Sequence, residues 1–247
     1  MIPLKDDAPR LSAPLVNYFL ILANILVFLF QSSLDRSSQA QFVRAFGLVP
    51  ARIASMLTTS APHAHIHGYG AMHAIGVSPE AAFVPILTSM FMHSDILHIL
   101  FNMWFLWIFG RTLEDVLGHF PYLAFYLTCG VAAALSQIMS NLGSTVPMVG
   151  ASGAIAGVMG GYFIVYPRAR VLMLVPFLFI FFIWLPAWVV LGYWFVLQFL
   201  SGVGTALVAA NRESGGVAFW AHVGGFVSGV LLVRLFSSPS KHYRYGY

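Results

Sequence analysis

Charged residues and cysteine are both scarce in this chain. Asp, Glu, Lys and Arg together make up 8% of its 247 residues, whereas hydrophobic residues make up 59%. A soluble domain has roughly 25% charged residues, so this chain lacks the charge to cover a surface in water. The stretch from Val116 to Pro167 contains none of the four charged residue types. We therefore predict a membrane protein in which apolar helices of about 17–25 residues cross a lipid bilayer.

The low cysteine count and the small net charge argue against a disulfide-bonded protein and against a nucleic-acid-binding protein. The single cysteine, Cys129, lies inside an apolar run, so no intrachain disulfide can form. The formal net charge is +4, and in a membrane protein such a charge bears on orientation and not on nucleic acid. We expect the lipid bilayer, and no nucleic acid, among the partners.

Apolar stretches that can form membrane helices recur along the chain. They cover residues 14–30, about 94–110, 120–140 and 150–166, part of 171–210, and about 217–235. No small-x-small cleavage site follows Phe30, so we expect the first stretch to remain as a helix. The long segment 31–82 has apolar positions typical of short amphipathic helices on the bilayer surface, namely Phe42, Phe46, Ile53, Met56 and Leu57.

The distribution of Lys and Arg predicts six spans with an internal N-terminus. The internal segments then carry eight basic residues and the external segments four, in agreement with the positive-inside rule. An extra crossing at Val171 to Leu185 would put His222 and Ser152 on opposite sides of the membrane. With Pro176 and Pro186 as breakers, we expect that stretch to be an apolar lead-in or a short re-entrant segment.

A serine and a histidine lie at the beginnings of the fourth and sixth stretches. Ser152 stands in Gly-Ala-Ser-Gly at 150–153, and His222 stands in Ala-His-Val-Gly-Gly at 221–225. A serine hydroxyl becomes a nucleophile when a base takes its proton. Small residues on both stretches allow the close approach that a Ser–His hydrogen bond requires. We predict a Ser/His catalytic dyad, with the histidine held by packing and not by a carboxylate.

Polar residues also open the second stretch. His98 and Asn102 are four residues apart and share one helix face, and their N–H groups can bind an oxyanion. Asp95 is expected to orient His98 or to cap the helix. Glu114 and Asp115 lie at the opposite end of this stretch, too far from Ser152 to complete a triad.

Together these segments resemble the rhomboid family of intramembrane serine proteases. The matching residues are Phe91–Asn102, Gly110–Asp115, Gly150–Gly153 and Ala221–Gly225, with Phe46–Pro50 similar to the start of the family's first loop. The resemblance implies that Ser152 is the nucleophile and His222 the base, and that His98 and Asn102 help to bind the oxyanion. It also implies substrates that are single transmembrane helices, cut near one membrane face at small residues. Some members stack a tyrosine on the catalytic histidine, but here that position is Ala156.

These features predict an all-α membrane protein, a six-transmembrane-helix bundle of rhomboid type with a long first external loop. Residues 1–13 form a cytoplasmic N-terminus, 14–236 the membrane domain, and 237–247 a basic cytoplasmic tail, with a bacterial inner membrane as the expected location. We expect no cofactor, and no physiological metal site among His63, His65, His67 and His73, which lack evident second-shell partners.

Two other functions remain open. A catalytically silent family member would bind membrane proteins without cutting them, but such a member is expected to lack the serine or the histidine. A transporter is expected to carry acidic or basic residues deep in several spans and repeated halves, and neither feature is found in the sequence.

Overall fold

A computed structural model describes residues 2–59, 79–177, 179–208 and 217–237. The four loop histidines from His63 to His73 and the basic tail after residue 237 lie outside these residues. The helices are α1 (Leu15–Ser33), α2 (Arg36–Phe46), α3 (Pro50–Thr59), α4 (Pro79–Phe83), α5 (Pro85–Thr88), α6 (Ile96–Leu117), α7 (His119–Ser140), α8 (Ser152–Val165), α9 (Ala187–Val208) and α10 (Phe219–Phe236). The strands are β1 (Ile2–Asp6), β2 (Arg170–Phe177) and β3 (Phe179–Pro186).

Helices make up 72% of the structure, which confirms the predicted helical membrane bundle. Among the described residues, five helices are long and apolar enough to cross a membrane: α1, α6, α7, α9 and α10. Helix α8 has only 14 residues, which corresponds to about 21 Å at 1.5 Å per residue. Its crossing of the membrane, and with it the count of six spans, stays a prediction.

Helix α8 lies at the centre of the bundle. Every residue from Gly153 to Tyr162 is buried, as expected of a helix that is apolar on all sides. Its glycines allow α10 to come very close, because a methyl group on Gly225 would collide with the carbonyl oxygen of Gly153. A methyl group on Gly229 would likewise collide with the carbonyl of Gly157. The predicted small-residue contact between these two helices is therefore present.

Helix α6 is one continuous helix with defined ends. The Asp95 carboxylate caps its start by accepting a hydrogen bond of 2.9 Å from the His98 N–H, as the sequence predicts. A widened, π-type turn runs over Leu106–Gly110. The helix ends at Leu117, and the following Gly118 has a φ of +85°. This conformation permits the sharp reversal into α7, because glycine adopts positive φ without steric cost.

The amphipathic helices predicted after α1 are present as α2 and α3. Asp35 caps α2 through hydrogen bonds from the Ser37 and Ser38 N–H groups. A hydrogen bond from the Ser38 side chain, together with these two bonds, lowers the pKa of the Asp35 carboxyl group. Leu48, between α2 and α3, exchanges backbone hydrogen bonds of 3.0 and 2.7 Å with Met148. The segment between α1 and α6 is thus attached to the loop that leads into α8.

In the described residues of the apolar stretch 171–185, namely 171–177 and 179–185, there is no extra helical span, but the structure differs from the predicted lead-in or re-entrant segment. Strands β2 and β3 form an antiparallel hairpin with Met173 opposite Ile183, and β1 pairs with β2 so that Asp6 lies opposite Val171. Val171 and Met173 are buried against the bundle, in line with strand alternation. Apolar runs of this length fit strand and helix equally, and the third strand comes from the N-terminal segment, far away in sequence.

A buried polar cluster holds that N-terminal segment at the end of the bundle opposite Ser152. The Glu114 carboxylate accepts hydrogen bonds from the N–H groups of Val16 and Asn17, and Asp115 accepts one of 2.7 Å from the Ser12 N–H. The two acidic residues that lie too far from the serine for catalysis therefore bind the entry to α1.

Candidate active site

Ser152 is the first residue of α8. The backbone of the preceding loop is held by a hydrogen bond of 2.9 Å from the Gly150 N–H to the Ser89 carbonyl. Gly150 has a φ of +134°, in a region that residues with a Cβ rarely adopt. The N–H groups in the first turn of a helix have no intrahelical acceptor. The Ser152 hydroxyl therefore lies beside backbone donors that can bind an anion.

His222 faces Ser152 from α10. Its Nε2 lies 2.8 Å from the Ser152 Oγ, within the range for proton transfer between a nucleophile and its base. The imidazole is 9% exposed, whereas Ser152 is half-buried. The close contact between Gly153 and Gly225 brings the two helices near enough for this bond. The two side chains that the sequence nominates as a dyad are thus in direct contact.

The other ring nitrogen of His222 has a partner that the sequence did not identify. Its Nδ1 lies 2.8 Å from the Gln198 Oε1 on α9. An amide oxygen only accepts hydrogen bonds, so Nδ1 carries the proton and the unprotonated Nε2 accepts from the serine hydroxyl. The Trp194 ring lies 5.7 Å from the imidazole at 38°. His222 is therefore held by a hydrogen bond as well as by the packing that was expected.

His98 also lies close to Ser152. A Cβ on Gly150 would be 2.9 Å from the His98 Nε2 and 3.5 Å from the Ser152 Oγ, so both groups border the same small space. The His98 Nδ1 is 3.0 Å from the Ser94 Oγ, and that hydroxyl donates to Asp95 over 2.7 Å. The Ser94 oxygen is then left to accept from the His98 Nδ1–H. A neutral His98 consequently has no proton on Nε2, and it can donate there only as an imidazolium.

Asp95 is placed to support that charged form. Hydrogen bonds from the Ser94 hydroxyl and the His98 N–H lower the pKa of its carboxyl group. Asp95 is exposed, so water screens its charge, yet the Ser94 hydroxyl connects it directly to the imidazole. The pair of Ser94 and Asp95 thus orients the His98 ring.

Asn102 lies one helical turn beyond His98, on the same face of α6. Its side chain is buried, at 6% exposure, and its Nδ2 donates a hydrogen bond of 3.0 Å to the His98 carbonyl. An amide group has two N–H hydrogens, so a second hydrogen is available for another acceptor.

A small cavity opens behind Ser152. Its wall consists almost entirely of small residues: Gly130, Ala133, Ala134, Gly153, Ala154, Ala218 and Ala221, with Ser89, Met90 and the segment from Met148 to Gly150. The cavity volume is about 20 Å³, little more than the space one water molecule needs, so only a short side chain fits. Within the described ranges, no group of three or more His, Cys, Asp and Glu side chains is arranged to hold a metal ion.

Gln198, Trp194 and Ser94 are the site residues that the sequence analysis missed. Gln198 could have been noticed in the sequence, because it is the one Asn, Gln or His between Val171 and Ala210. That stretch contains no charged residue. A polar side chain in a membrane helix usually faces protein or water. Its partner on α10 becomes apparent only from the packing of α9 against that helix.

The fold and this site define a polytopic helical membrane protein with a Ser–His pair at the start of its central helix. The Rhomboid domain family matches residues 80–239, which is more than half of the chain. The chain therefore belongs to the rhomboid family.

Similar proteins come from mitochondria and from bacteria. The mitochondrial Rhomboid protein 1 of Saccharomyces cerevisiae is 31% identical over 152 residues, which covers 60% of this chain and 40% of that protein. The human mitochondrial Presenilin-associated rhomboid-like protein is 28% identical over 160 residues, 60% of this chain and 37% of its own length. Rhomboid protease GluP of Bacillus subtilis is 25% identical over 154 residues, which covers 62% of this chain and 26% of that protein. Each match thus spans at most about two fifths of the relative.

Proposed function

We propose that this chain is an intramembrane serine endopeptidase that hydrolyses peptide bonds in or near the transmembrane helices of membrane-protein substrates. The observation that supports this most directly is the 2.8 Å contact between the Ser152 Oγ and the His222 Nε2. Membership of a family whose proteins act on membrane-protein substrates supports the substrate class. The reaction needs no cofactor.

In the first half-reaction, the Ser152 oxygen attacks the carbonyl carbon of the substrate peptide while His222 Nε2 takes the hydroxyl proton. The C=O π electrons move to the carbonyl oxygen, which becomes an oxyanion. The Asn102 amide and the Ser152 backbone N–H are the proposed donors to this oxyanion, joined by His98 when its ring is protonated. The carbon–nitrogen bond then breaks, and the imidazolium gives its proton to the departing amine.

In the second half-reaction, water attacks the acyl-enzyme ester and His222 again acts as base, then as acid. The ester bond to Ser152 breaks, and the serine recovers its proton. The small-residue cavity beside Ser152 supports a preference for a short side chain next to the cut bond. A helical peptide bond must first unwind to expose its carbonyl carbon, so we expect helix-destabilising residues near the cleavage site.

For the membrane, we propose six spans, with α8 as the short central one, and both termini on the side away from Ser152. Residues 1–13 are then the cytoplasmic N-terminus, 14–236 the membrane domain and 237–247 the basic tail. Two of the three relatives described above are mitochondrial, so the expectation of a bacterial inner membrane gains no support from the comparisons.

The test is labelling of the purified protein in lipid nanodiscs by a fluorophosphonate probe, followed by peptide mapping. We expect one adduct, on Ser152, which disappears in Ser152→Ala and His222→Ala. Ser228→Ala is the matched control, because Ser228 lies on α10 and its hydroxyl bonds the Gly225 carbonyl. This variant should label at the wild-type rate.

A parallel assay follows cleavage of a test substrate with one transmembrane helix. Cleavage that persists undiminished in Ser152→Ala would refute the proposal. A protein that binds the substrate but neither reacts with the probe nor cuts would instead be a silent family member.

A further inference from the structure

Gln198 is the one side chain within hydrogen-bonding distance of His222 Nδ1 in the described part of the chain. It lies on α9, in an otherwise apolar part of that helix. Of the five long apolar helices, α9 buries the smallest share of its residues, 11% compared with 39% for α10. A half-buried glutamine on such a helix is therefore not needed to fill the core, and its contact with the imidazole requires another explanation.

A neutral imidazole carries one N–H, and the position of that N–H decides whether it can act as a base toward Ser152. When Nδ1 is protonated, Nε2 has the lone pair that accepts the serine proton. When Nε2 is protonated, the ring can only donate toward Ser152, and proton removal stops. The hydrogen bond made by the far nitrogen selects between these tautomers, and the Gln198 Oε1 at 2.8 Å selects the first.

Glutamine suits this position better than a carboxylate would in lipid surroundings. An ionised carboxylate is costly to bury next to apolar helices, whereas an amide is neutral in both protonation states of its partner. When His222 becomes an imidazolium, the Gln198 carbonyl dipole still accepts from Nδ1 and stabilises the positive charge. One amide thereby serves the resting base and its protonated form.

We propose that Gln198 is a positioning residue for His222, which holds the imidazole in the Nδ1–H tautomer and directs Nε2 at Ser152. This inference rests on the proposed proteolytic function for its effect on rate. Its effect on the tautomer does not depend on catalysis. Helix α9 then contributes to the site, together with α8 and α10.

The experiment compares Gln198→Leu and Gln198→Glu with wild type. Leucine removes the acceptor at similar volume, so we expect kcat to fall on the order of 10–10²-fold, less than the ~10⁴-fold loss when a triad carboxylate becomes an amide. KM should stay unchanged. Glutamate restores an acceptor and should recover most of the rate, with the pH–rate profile moved to higher pH, because a carboxylate favours the imidazolium. Gln137→Leu is the matched control, since Gln137 bonds the Ala221 N–H of α10 at 3.2 Å without reaching the ring.

Nitrogen-15 NMR of labelled histidine reports the tautomer directly, with the His222 signals assigned by their absence in His222→Ala. We expect a protonated Nδ1 in wild type and a shift toward the Nε2–H tautomer in Gln198→Leu. An unchanged tautomer together with an unchanged kcat and pH profile in Gln198→Leu overturns the proposal. If Ser152 proves unreactive, the proteolytic function fails, yet the NMR comparison still decides the role of Gln198.

Discussion

The Tyr162 hydroxyl donates a hydrogen bond of 2.9 Å to the Asp6 carboxylate. Tyr162 lies near the end of α8, the helix that begins with Ser152, and Asp6 is the last residue of β1. Both side chains are buried. Because β1 also pairs with β2, the N-terminal segment and the hairpin together hold the end of α8 that is opposite the Ser–His pair.

Asp6 should therefore matter for stability more than its place near the N-terminus implies. Its side chain is fully buried and also accepts from Thr112 at 2.8 Å and from Arg10 at 3.2 Å. Removal of one partner from a buried charged network typically costs about 3–5 kcal/mol. We expect Asp6→Ala to lower the free energy of unfolding by this amount, measured by equilibrium unfolding in mixed micelles.

Asp7→Ala is the matched control for that measurement. Asp7 pairs with Arg170 at 2.9 Å, but both side chains are substantially exposed, at 34% and 66%. Exposed ion pairs contribute roughly 0–1 kcal/mol, so this variant should lose little stability. Equal losses for the two variants would show that burial of Asp6 is not what makes it important.

The contact between Gly153 and Gly225 leads to a second prediction. In Gly225→Ala the new methyl group would meet the Gly153 carbonyl oxygen and lie 3.3 Å from the Ala156 Cβ, so α10 must move away from α8. Such overpacking typically costs about 1–3 kcal/mol, and a displacement near 1 Å at the Ser152–His222 pair can lower the rate about 10²-fold. Fluorophosphonate labelling and thermal unfolding measure the two effects.

Gly204→Ala on α9 controls for the replacement of a helical glycine by alanine. A Cβ at this position has nothing within 4 Å, and alanine favours the helix by up to about 1 kcal/mol. We expect wild-type labelling and unchanged or slightly higher stability. A full labelling rate in Gly225→Ala would contradict the requirement for close backbone approach.

The features that can be read from the sequence alone are those in which a polar residue interrupts an apolar run. His98, Asn102, Ser152 and His222 stand out because polar groups are costly in a membrane helix, and Asp95 has the position of a helix cap. These signals are local, so they can be read without knowledge of the packing.

The sheet and the Gln198 contact depend on partners that are distant in the chain. Nothing in Val171–Phe177 separates a strand from a helix until the partner segment Ile2–Asp6 is known. Gln198 likewise indicates a buried contact, but only the position of α9 beside α10 shows that the contact is His222. Long-range pairing is therefore the physical reason for both omissions.

Gly150 provides a third prediction, because its backbone conformation and its surroundings both exclude a side chain. At φ +134° an alanine is strained, by about 1–3 kcal/mol, and its methyl group would lie 2.9 Å from the His98 Nε2. We expect Gly150→Ala to have both a lower free energy of unfolding and a lower kcat in the cleavage assay.

Gly118→Ala is the control, since Gly118 also has positive φ, at +85°, but lies at the turn between α6 and α7. It should lose stability alone; a similar loss of kcat in both variants would mean that strain and not the His98 contact lowers the rate.

Asn102 can be tested against a residue with the same local geometry. The Asn102 Nδ2 bonds the carbonyl four residues earlier at 3.0 Å, and the buried Asn24 Nδ2 bonds the Leu20 carbonyl in the same way at 2.8 Å. Loss of either amide should lower stability similarly, by about 0.5–1.5 kcal/mol.

If Asn102 is a principal oxyanion donor, Asn102→Ala should also reduce kcat by about 10²–10³-fold, the usual cost of removing one such donor, whereas Asn24→Ala should leave kcat unchanged. Because the donor acts on the transition state, KM should change little, and steady-state kinetics on the test substrate separates the two parameters. An unchanged kcat in Asn102→Ala would mean that Asn102 is not an oxyanion donor and that its role is structural, through its hydrogen bond to the His98 carbonyl.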